Sequence, residues 1–353
     1  MKISYSILFI ILIIFSNYCN GKTILDNERN IDQSDYNIKN ITPKDDAFHG
    51  INNYYSQEWW YFDAFFNQNY GIHIGIKVIS FAKWGIVREL INIYKDTNLE
   101  EKELRIRPLN QYKISEEIPN IKYRNKQILE FDYNEYISTG NWNYTIKIEL
   151  NNIKVDLIFI GKSKGFTYQT THEGWSVAQP IARVRGKITI NEKVINLNGK
   201  GYHDHNWNFS IGTGLRGKGW YWGKITSENY SLTWAKVQKT RFADDTISEK
   251  IGILSIINDD YIKINSDNIT IEVGDYEYHN GRFIPTRFFL YAMQDDIEIN
   301  VSFNAVSIQK IGLRFISIHY WRFFISIIGF IKHGENVDFL ENEIQIMECV
   351  RFI

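Results

Sequence analysis

The chain has 353 residues, of which 44% are hydrophobic and 23% charged, and its formal net charge is −1. This length suits one large or two medium domains, and the composition is that of a globular protein with its own core. The near-zero net charge does not indicate binding to nucleic acid or to an anionic membrane surface, so neither is expected as a partner. The aromatic fraction of 15% instead indicates a β-rich core or a pocket for an apolar ligand.

The N-terminus has the pattern of a secretory signal peptide. Lys2 precedes an apolar run from Ile3 to Phe15, and polar and small residues follow as far as Gly21. The run is shorter than the roughly 20 residues that a membrane helix needs. We therefore expect residues 1–21 to be removed on export, with no integral membrane segment left and the protein secreted or in the lumen of the secretory pathway.

Export has consequences for covalent chemistry. Removal of residues 1–21 leaves Cys349 as the single cysteine, so no intrachain disulfide is expected. The mature chain contains N-x-S/T sequons, of which the one at Asn40 is weakened by Pro43. Glycosylation is expected at the others, which are Asn143, Asn208, Asn229, Asn268 and Asn300.

Strand patterns dominate the rest of the chain. Residues 22–45 are polar and lack periodicity, which predicts a flexible leader. Beyond them, segments such as GIHIGIKVIS, YTIKIEL and NITIEV alternate apolar and polar residues, and Asn-Gly dipeptides at 198–199 and 280–281 mark turns. Since no βαβ alternation is visible, we predict an all-β protein of two barrels or sandwiches.

One segment is apolar enough to resemble a membrane helix, namely GLRFISIHYWRFFISIIGFIK at residues 312–332. Arg314, His319, Arg322 and Lys332 interrupt it, and a charge at the centre of a membrane helix costs about 2.5–3.5 kcal/mol. We therefore predict buried strands here.

The segment SQEWWYFDAFF places carboxylates beside aromatic rings. As a strand, it puts Glu58 and Trp60 on one face and Trp59, Tyr61 and Asp63 on the other. Desolvation by such rings raises a carboxyl pKa, which prepares a general acid. The alternative is that both carboxylates accept hydrogen bonds and fix the sheet.

The segment GYHDHNWN, residues 201–208, contains the densest group of polar and aromatic side chains. On a strand His203 and His205 share a face, with Asp204 opposite. A His-x-His arm can bind metal, but no second cluster with ligand spacing exists, so no metal is expected. Acid–base or orienting work by His205 and a hydrogen-bonded structural corner remain open.

A tryptophan-rich segment, KGWYWGKI, follows. Its alternation puts Trp220 and Trp222 on one face and Tyr221 on the other. Such a pair packs in a core or roofs a pocket, where an aromatic face can stabilise a developing carbocation.

Together EWWYFDA, QPIARVRGKI, GKGYHDHNW and WYWGK resemble the AttH-like, carotenoid 1,2-hydratase-related family of tandem lipocalin-like proteins. The segments HYWRFF and MECVRF resemble its C-terminal end, so the likeness runs from about Asp46 to Phe352. The resemblance implies two lipocalin-like β-barrel or sandwich domains, at 46–208 and 209–353, with an apolar ligand site at their junction. It also implies cofactor-free chemistry on polyenes or terpenoids; fungal Diels–Alderases and, more distantly, tocopherol cyclases share the fold.

Two departures from the family pattern bear on activity. His205 and Trp207 match the His-x-Trp that the resemblance implicates in the hydratases. The hydratases, however, have a Tyr-x-Asp after the tryptophan strand, whose aspartate protonates the alkene, whereas NYSLTWAKV at 229–237 contains no acid. Asn208 stands where the family has Gly after the DHNW tetrapeptide.

The leading hypothesis is a secreted lipocalin-like protein that binds an apolar isoprenoid- or polyketide-like molecule, with no cofactor. As an enzyme it would be an isomerase, cyclase or hydro-lyase; the alternatives are a non-catalytic lipid carrier and a metal-dependent hydrolase. The candidate catalytic residues are His205, Asp204, Asp63 and Glu58. The candidate substrate-binding residues are Trp59, Trp60, Tyr61, Tyr202, Trp207, Trp220 and Trp222.

Overall fold

Antiparallel β-strands make up most of the structure, a computed structural model that describes residues 37–51, 54–82, 84–169, 173–209, 217–239, 248–279, 281–311 and 318–352. Within these ranges there are 22 strands in two sheets, one α-helix and four 3-10 helices. The described residues fall within one compact unit.

The first sheet has 13 strands. They are β1 (Ile38–Asn40), β2 (Tyr55–Phe66), β3 (Tyr70–Phe81), β4 (Trp84–Lys95), β5 (Asn98–Pro108), β6 (Tyr112–Ile114), β7 (Ile121–Tyr123), β8 (Lys126–Phe131), β9 (Asn143–Glu149), β10 (Ile153–Gly161), β11 (Phe166–Gln169), β12 (Gly174–Ile190) and β13 (Lys193–Phe209). The order is β5-β4-β3-β2-β13-β12-β10-β9-β8-β7-β6, with β11 on β12 and β1 on β11.

The second sheet has nine strands. They are β14 (Gly217–Thr226), β15 (Tyr230–Lys239), β16 (Ser248–Ile256), β17 (Tyr261–Ile264), β18 (Ile269–His279), β19 (Arg282–Gln294), β20 (Ile297–Lys310), β21 (Ile318–His333) and β22 (Asn336–Phe352). The order is β17-β16-β15-β14-β22-β21-β20-β19-β18.

The helices are short. Helix α1 (Tyr133–Thr139) is capped by Asp132, whose side chain accepts from the Glu135 N–H, and ends at Gly140 with a left-handed φ of 78°. The 3-10 helices are Pro43–Asp45, Asn67–Asn69, Leu109–Gln111 and Ser266–Asn268.

Four apolar clusters hold the two sheets and join them, the smallest of them formed by Tyr94, Phe324 and Ile346. Each sheet is curled, one nearly into a barrel and the other into a half-barrel, around its own core. A third cluster takes side chains from both sheets, including Tyr61 and Trp175 from the first and Trp222 and Ile251 from the second. The two sheets therefore pack against each other through an aromatic layer.

The predicted all-β fold of two barrel-like units is confirmed. The strands of the first sheet end at Phe209 and those of the second begin at Gly217, while the domain boundaries themselves stay a prediction.

The prediction of a buried strand in the apolar segment 312–332 is confirmed from Ile318 onward, because β21 covers Ile318–His333; residues 312–317 lie outside the described ranges. The run is apolar throughout because both faces of β21 are covered. Trp321 and Phe323 point to one face of the strand and Phe324 to the other, and all three side chains are fully buried. In the described residues no helix is long and apolar enough to cross a membrane.

The segment predicted as a flexible leader, 22–45, is ordered over its last nine residues, 37–45. Strand β1 pairs with β11, and Ile41 is buried against the first core. Burial of this isoleucine is the physical reason that the end of the segment is fixed. Residues 22–36 lie outside the described ranges.

Candidate functional site

A cavity of about 130 Å³ lies where the two sheets meet. Its aromatic lining comes from both sheets: Trp59, Tyr61, Tyr168, Trp175, Trp220 and Trp222. Three acids also line it, Glu173, Asp204 and Glu348. An apolar, aromatic-walled cavity with a few polar groups is the usual form of a small-molecule site.

The two-residue alternation of strands decides which side chains reach the cavity. Strand β2 directs Trp59 and Tyr61 into it, and the neighbouring β13 directs Asp204 and Asn206 into it. Strand β14 of the second sheet supplies the opposite wall with the tryptophans of KGWYWGKI.

Asp204 is a buried acid of the first-sheet wall, with 4% of its surface exposed. It accepts hydrogen bonds from Trp175 Nε1 at 3.0 Å, Tyr202 Oη at 2.9 Å and Asn206 Nδ2 at 3.3 Å. Burial raises the pKa of Asp204 from 3.8 to about 7, against the opposing effect of the Trp175 and Tyr202 hydrogen bonds. The carboxyl is therefore a proton donor near neutral pH.

Glu348 is the second polar group of the cavity and is held differently. Arg322 Nη2 lies 2.8 Å from Glu348 Oε1, and the Tyr320 hydroxyl donates to the same oxygen. Arg322 is almost completely buried, and it also donates to Tyr94 Oη of the first sheet at 3.1 Å. Glu348 is therefore fixed beside the cavity by a buried guanidinium and a phenol hydroxyl.

Asp63 lies on the same face of β2 as Trp59 and Tyr61, but it is fully buried and does not line the cavity. It accepts a hydrogen bond from Tyr61 Oη at 2.9 Å and pairs with the Lys224 ammonium of the second sheet. Burial lowers the pKa of Lys224, and Asp63 opposes this effect. Asp63 therefore forms a buried ion pair between the two sheets.

The opposite face of β2 and β13 carries the histidines. His205 Nε2 lies 2.9 Å from Glu58 Oε1, although the contact is poorly aligned for a hydrogen bond, and the imidazole stacks on Trp60 at 4.4 Å. Burial raises the pKa of Glu58 and lowers the pKa of His205, so both groups are held neutral.

Asp46 is the anchor of this buried face. It accepts from Tyr144 Oη at 2.6 Å, and its Oδ2 lies 3.0 Å from His203 Nε2. The Trp60 indole N–H donates to its carbonyl oxygen at 2.8 Å. These contacts tie the segment before β2 to the interior of the first sheet.

A possible metal-ligand group lies on the same buried face. His49, Glu58 and His205 each offer one ligand atom, and the three atoms lie within 4.8 Å of one another. Nitrogen and carboxylate donors of this kind suit zinc. The group is separated from the cavity by the sheet, because His205 and Asp204 point to opposite sides of β13; a metal there would not contact a molecule in the cavity.

The structure divides the predicted site residues between two faces. Those that line the cavity are Trp59, Tyr61, Asp204, Trp220 and Trp222. Those on the opposite face of the first sheet are Glu58, Trp60, His205 and Trp207. Tyr202 and Asp63 do not line the cavity themselves, but each is hydrogen-bonded to a residue that does. The Tyr202 hydroxyl donates to Asp204, and Asp63 accepts from the Tyr61 hydroxyl. The sequence analysis expected all of these residues in one pocket, and this expectation was wrong. Successive side chains of β2 and β13 point to opposite faces of the sheet, so only one set can reach the cavity.

Sequence reasoning missed several residues of the site. Trp175 and Glu348 lie in strands whose sequence pattern predicts no catalytic or binding role, and Asp46 is an isolated acid. Arg322 did carry a signal, because a charge inside a buried apolar run requires a partner.

The backbone conformation explains why asparagine can occupy position 208, where the family pattern has glycine. Its φ is 60°, in the left-handed region that glycine enters without strain and asparagine tolerates. The site lies at an irregularity in the pairing of β13 with β2. Asn208 is a sequon residue, and its glycosylation, like that of the other four, stays a prediction.

No family model matches the chain, and no curated protein matches it. Solved structures are similar in fold over most of its length. An AttH from Nitrosomonas europaea aligns with a TM-score of 0.62 at 13% identity, covering 89% of this chain and 98% of that one. Kievitone hydratase from Nectria haematococca aligns with a TM-score of 0.55 at 12% identity, covering 88% and 93%.

A third structure, CghA with Sch210972, aligns with a TM-score of 0.54 at 8% identity, covering 85% of this chain and 89% of that one. The fold is that of these proteins. The AttH-like resemblance drawn from the tryptophan motifs is thereby confirmed at the level of fold.

Proposed function

We propose that the protein is an acid–base enzyme that hydrates, isomerises or cyclises an apolar molecule bound between the two sheets, with Asp204 as the proton donor. The observation that carries the proposal is the position of Asp204, whose carboxyl has a pKa of about 7 and lines an aromatic cavity. A general acid works best when its pKa lies near the working pH.

The chemistry follows from two of the three acids that line the cavity, Asp204 and Glu348. Protonated Asp204 delivers its proton to one carbon of a substrate double bond, and the positive charge that develops on the other carbon faces the rings of Trp59 and Trp222. Water then adds to that carbon and loses a proton to the Glu348 carboxylate, which gives the alcohol. Loss of a neighbouring carbon-bound proton to Glu348 instead gives the isomer.

The proposed proton donor lies on a different strand from the one that the family pattern implies. On β15, in the stretch that corresponds to the hydratase Tyr-x-Asp, Ala235 and Val237 line the cavity. Asp204 on β13 would supply the proton in place of the missing acid. The similarity in fold to kievitone hydratase supports a hydro-lyase among the possible reactions.

We further propose that this enzyme is exported, which the N-terminal pattern at residues 1–21 supports. Its proposed substrate is an isoprenoid- or polyketide-like molecule, the class that the family resemblance implies.

The test compares Asp204→Asn with Asp156→Asn, a strand residue of the first sheet outside the cavity. The substrate is first identified by lipid extraction of the native protein and mass spectrometry. We expect turnover by Asp204→Asn to fall by about 10²–10⁴-fold, with Asp156→Asn unchanged.

Turnover by Asp204→Asn at the wild-type rate would remove Asp204 from the mechanism. A ligand that the wild-type protein binds and releases chemically unaltered would favour the lipid carrier instead.

A further inference from the structure

Two cations face each other beside the cavity, on adjacent strands of the first sheet. The cross-strand pairing puts Trp59, Lys77, Arg88 and Ile106 in one row from β2 to β5. Cross-strand partners share a face of the sheet, so Lys77 and Arg88 lie on the face that carries the cavity residue Trp59. Like charges directly opposite each other destabilise a sheet, and this arrangement therefore requires an explanation.

Neither cation has an anionic partner among the described residues. Both side chains are partly buried, and Lys77 Nζ contacts the Trp59 ring. Burial first, and Arg88 second, lowers the pKa of Lys77 from 10.5 to about 7. Burial also lowers the pKa of Arg88. A partly buried charge without a counterion costs free energy, which an incoming anion would recover.

The neighbouring acids are already engaged. Glu348 pairs with Arg322, and Asp63 pairs with Lys224. Glu89, which follows Arg88 and points to the other side of β4, pairs with Arg105. The positive charge of the row is thus available to a ligand.

The row meets the cavity at Trp59. Lys77 Nζ lies 4.6 Å from the centroid of the Trp59 ring, and that ring is part of the cavity wall. We propose that the molecule bound in the cavity is an amphiphile whose anionic head group, a carboxylate or a phosphate, is held by Lys77 and Arg88. The inference rests on the proposed function and narrows its substrate class.

Calorimetric titration with three probes of equal chain length tests the inference: dodecanoate, dodecyl phosphate and dodecanol. We expect the full-length protein to bind at least one anionic probe about tenfold or more tighter than the alcohol at low salt, since hydrogen bonds to charged groups have this strength. The two anionic arms distinguish a carboxylate from a phosphate. High salt should weaken the preference.

The double variant Lys77→Met and Arg88→Met removes both charges and keeps the apolar stems. It should bind dodecanol as the wild type does and lose the preference for the anions. Lys236→Met is the control, because it removes a partly buried cation of the second sheet that is held by the Ile271 carbonyl.

Equal affinity of the wild type for all three probes, or an anion preference that survives in the double variant, would overturn the inference and leave the proposed function standing. Failure of the wild type to bind any probe would count against the apolar cavity itself, and so against both.

Discussion

At the residue scale, Asp204 shows how burial can outweigh hydrogen bonding. Three side chains donate to its carboxylate, which favours ionisation, yet its pKa rises to about 7 because the carboxyl group is almost completely buried. Asp63, which follows Tyr61 by two positions on β2 and is also buried, is instead paired with the Lys224 ammonium.

The raised pKa of Asp204 predicts how stability changes with pH. The folded carboxyl ionises near pH 7 and the unfolded one near 3.8, so between these values unfolding releases a proton and stability falls as the pH rises. Asp204→Asn lacks this group. We expect the variant to gain about 1–3 kcal/mol relative to the wild type between pH 4.5 and pH 7.5.

Urea unfolding of both proteins at the two pH values measures this difference, in which the other titrating groups cancel. A gap that stays constant, or that widens in favour of the wild type as the pH rises, would contradict the assignment. In an activity assay, kcat/KM of the wild type should fall as the pH rises through about 7.

At the scale of the element, the centre of the first sheet depends on close packing between β12 and β13. Gly174 is paired with Trp207, and a Cβ on Gly174 would lie 2.0 Å from the Trp207 ring. The tryptophan therefore lies flat over the glycine and is fixed on the histidine side of β13, where it stacks on His49 at 4.1 Å.

Gly174→Ala is expected to destabilise the protein by about 1–3 kcal/mol, because the added methyl group must displace the Trp207 ring. The measurement is the free energy of unfolding in urea. Gly274→Ala is the matched control, since a Cβ there meets no atom within 4 Å; it should change stability by less than about 0.5 kcal/mol. Equal effects of the two substitutions would show that packing on Trp207 is unimportant.

Much of the element-level structure could be predicted from the sequence. Alternation correctly separated Glu58 and Trp60 from Trp59 and Tyr61, because side chains of a strand point to opposite faces whatever the surroundings. Which face meets the second sheet has no local signature. His205 was therefore grouped with the cavity although it lies on the other face.

At the scale of the whole molecule, the two sheets are joined by an aromatic layer and by buried charges. The ion pair Lys224–Asp63 and the hydrogen bond from Arg322 to Tyr94 both cross between the sheets. Removing one partner of a buried pair leaves the other charge uncompensated, which is more costly than removing both.

Lys224→Met should accordingly destabilise the protein by about 3–5 kcal/mol, whereas the double variant with Asp63→Leu should recover most of that loss. Urea unfolding of the single and double variants provides the double-mutant cycle. A single variant as stable as the wild type would mean that the pair does not couple the sheets.

The sequence could not predict this assembly, for a physical reason. Strand β2 pairs with β13, and Asp63 reaches a lysine 161 positions later, so the contacts depend on long-range topology. The cavity could not be predicted for the same reason, because Asp204 and Glu348 line it from two different sheets. Isolated acids carry no periodic signal, and Asp46 was missed on that account.

The two faces of β13 carry side chains with different surroundings. The residues that make the HDHNW motif recognisable, His203, His205 and Trp207, hold the interior of the first sheet, whereas Asp204 between them looks into the cavity. Because the two sets of side chains point to opposite faces of β13, a substitution at Asp204 or Asn206 changes the cavity and leaves the packing of His203, His205 and Trp207 in place. Likeness in these three residues therefore indicates a shared packing of the first sheet, whereas the lining of the cavity depends on Asp204 and Asn206.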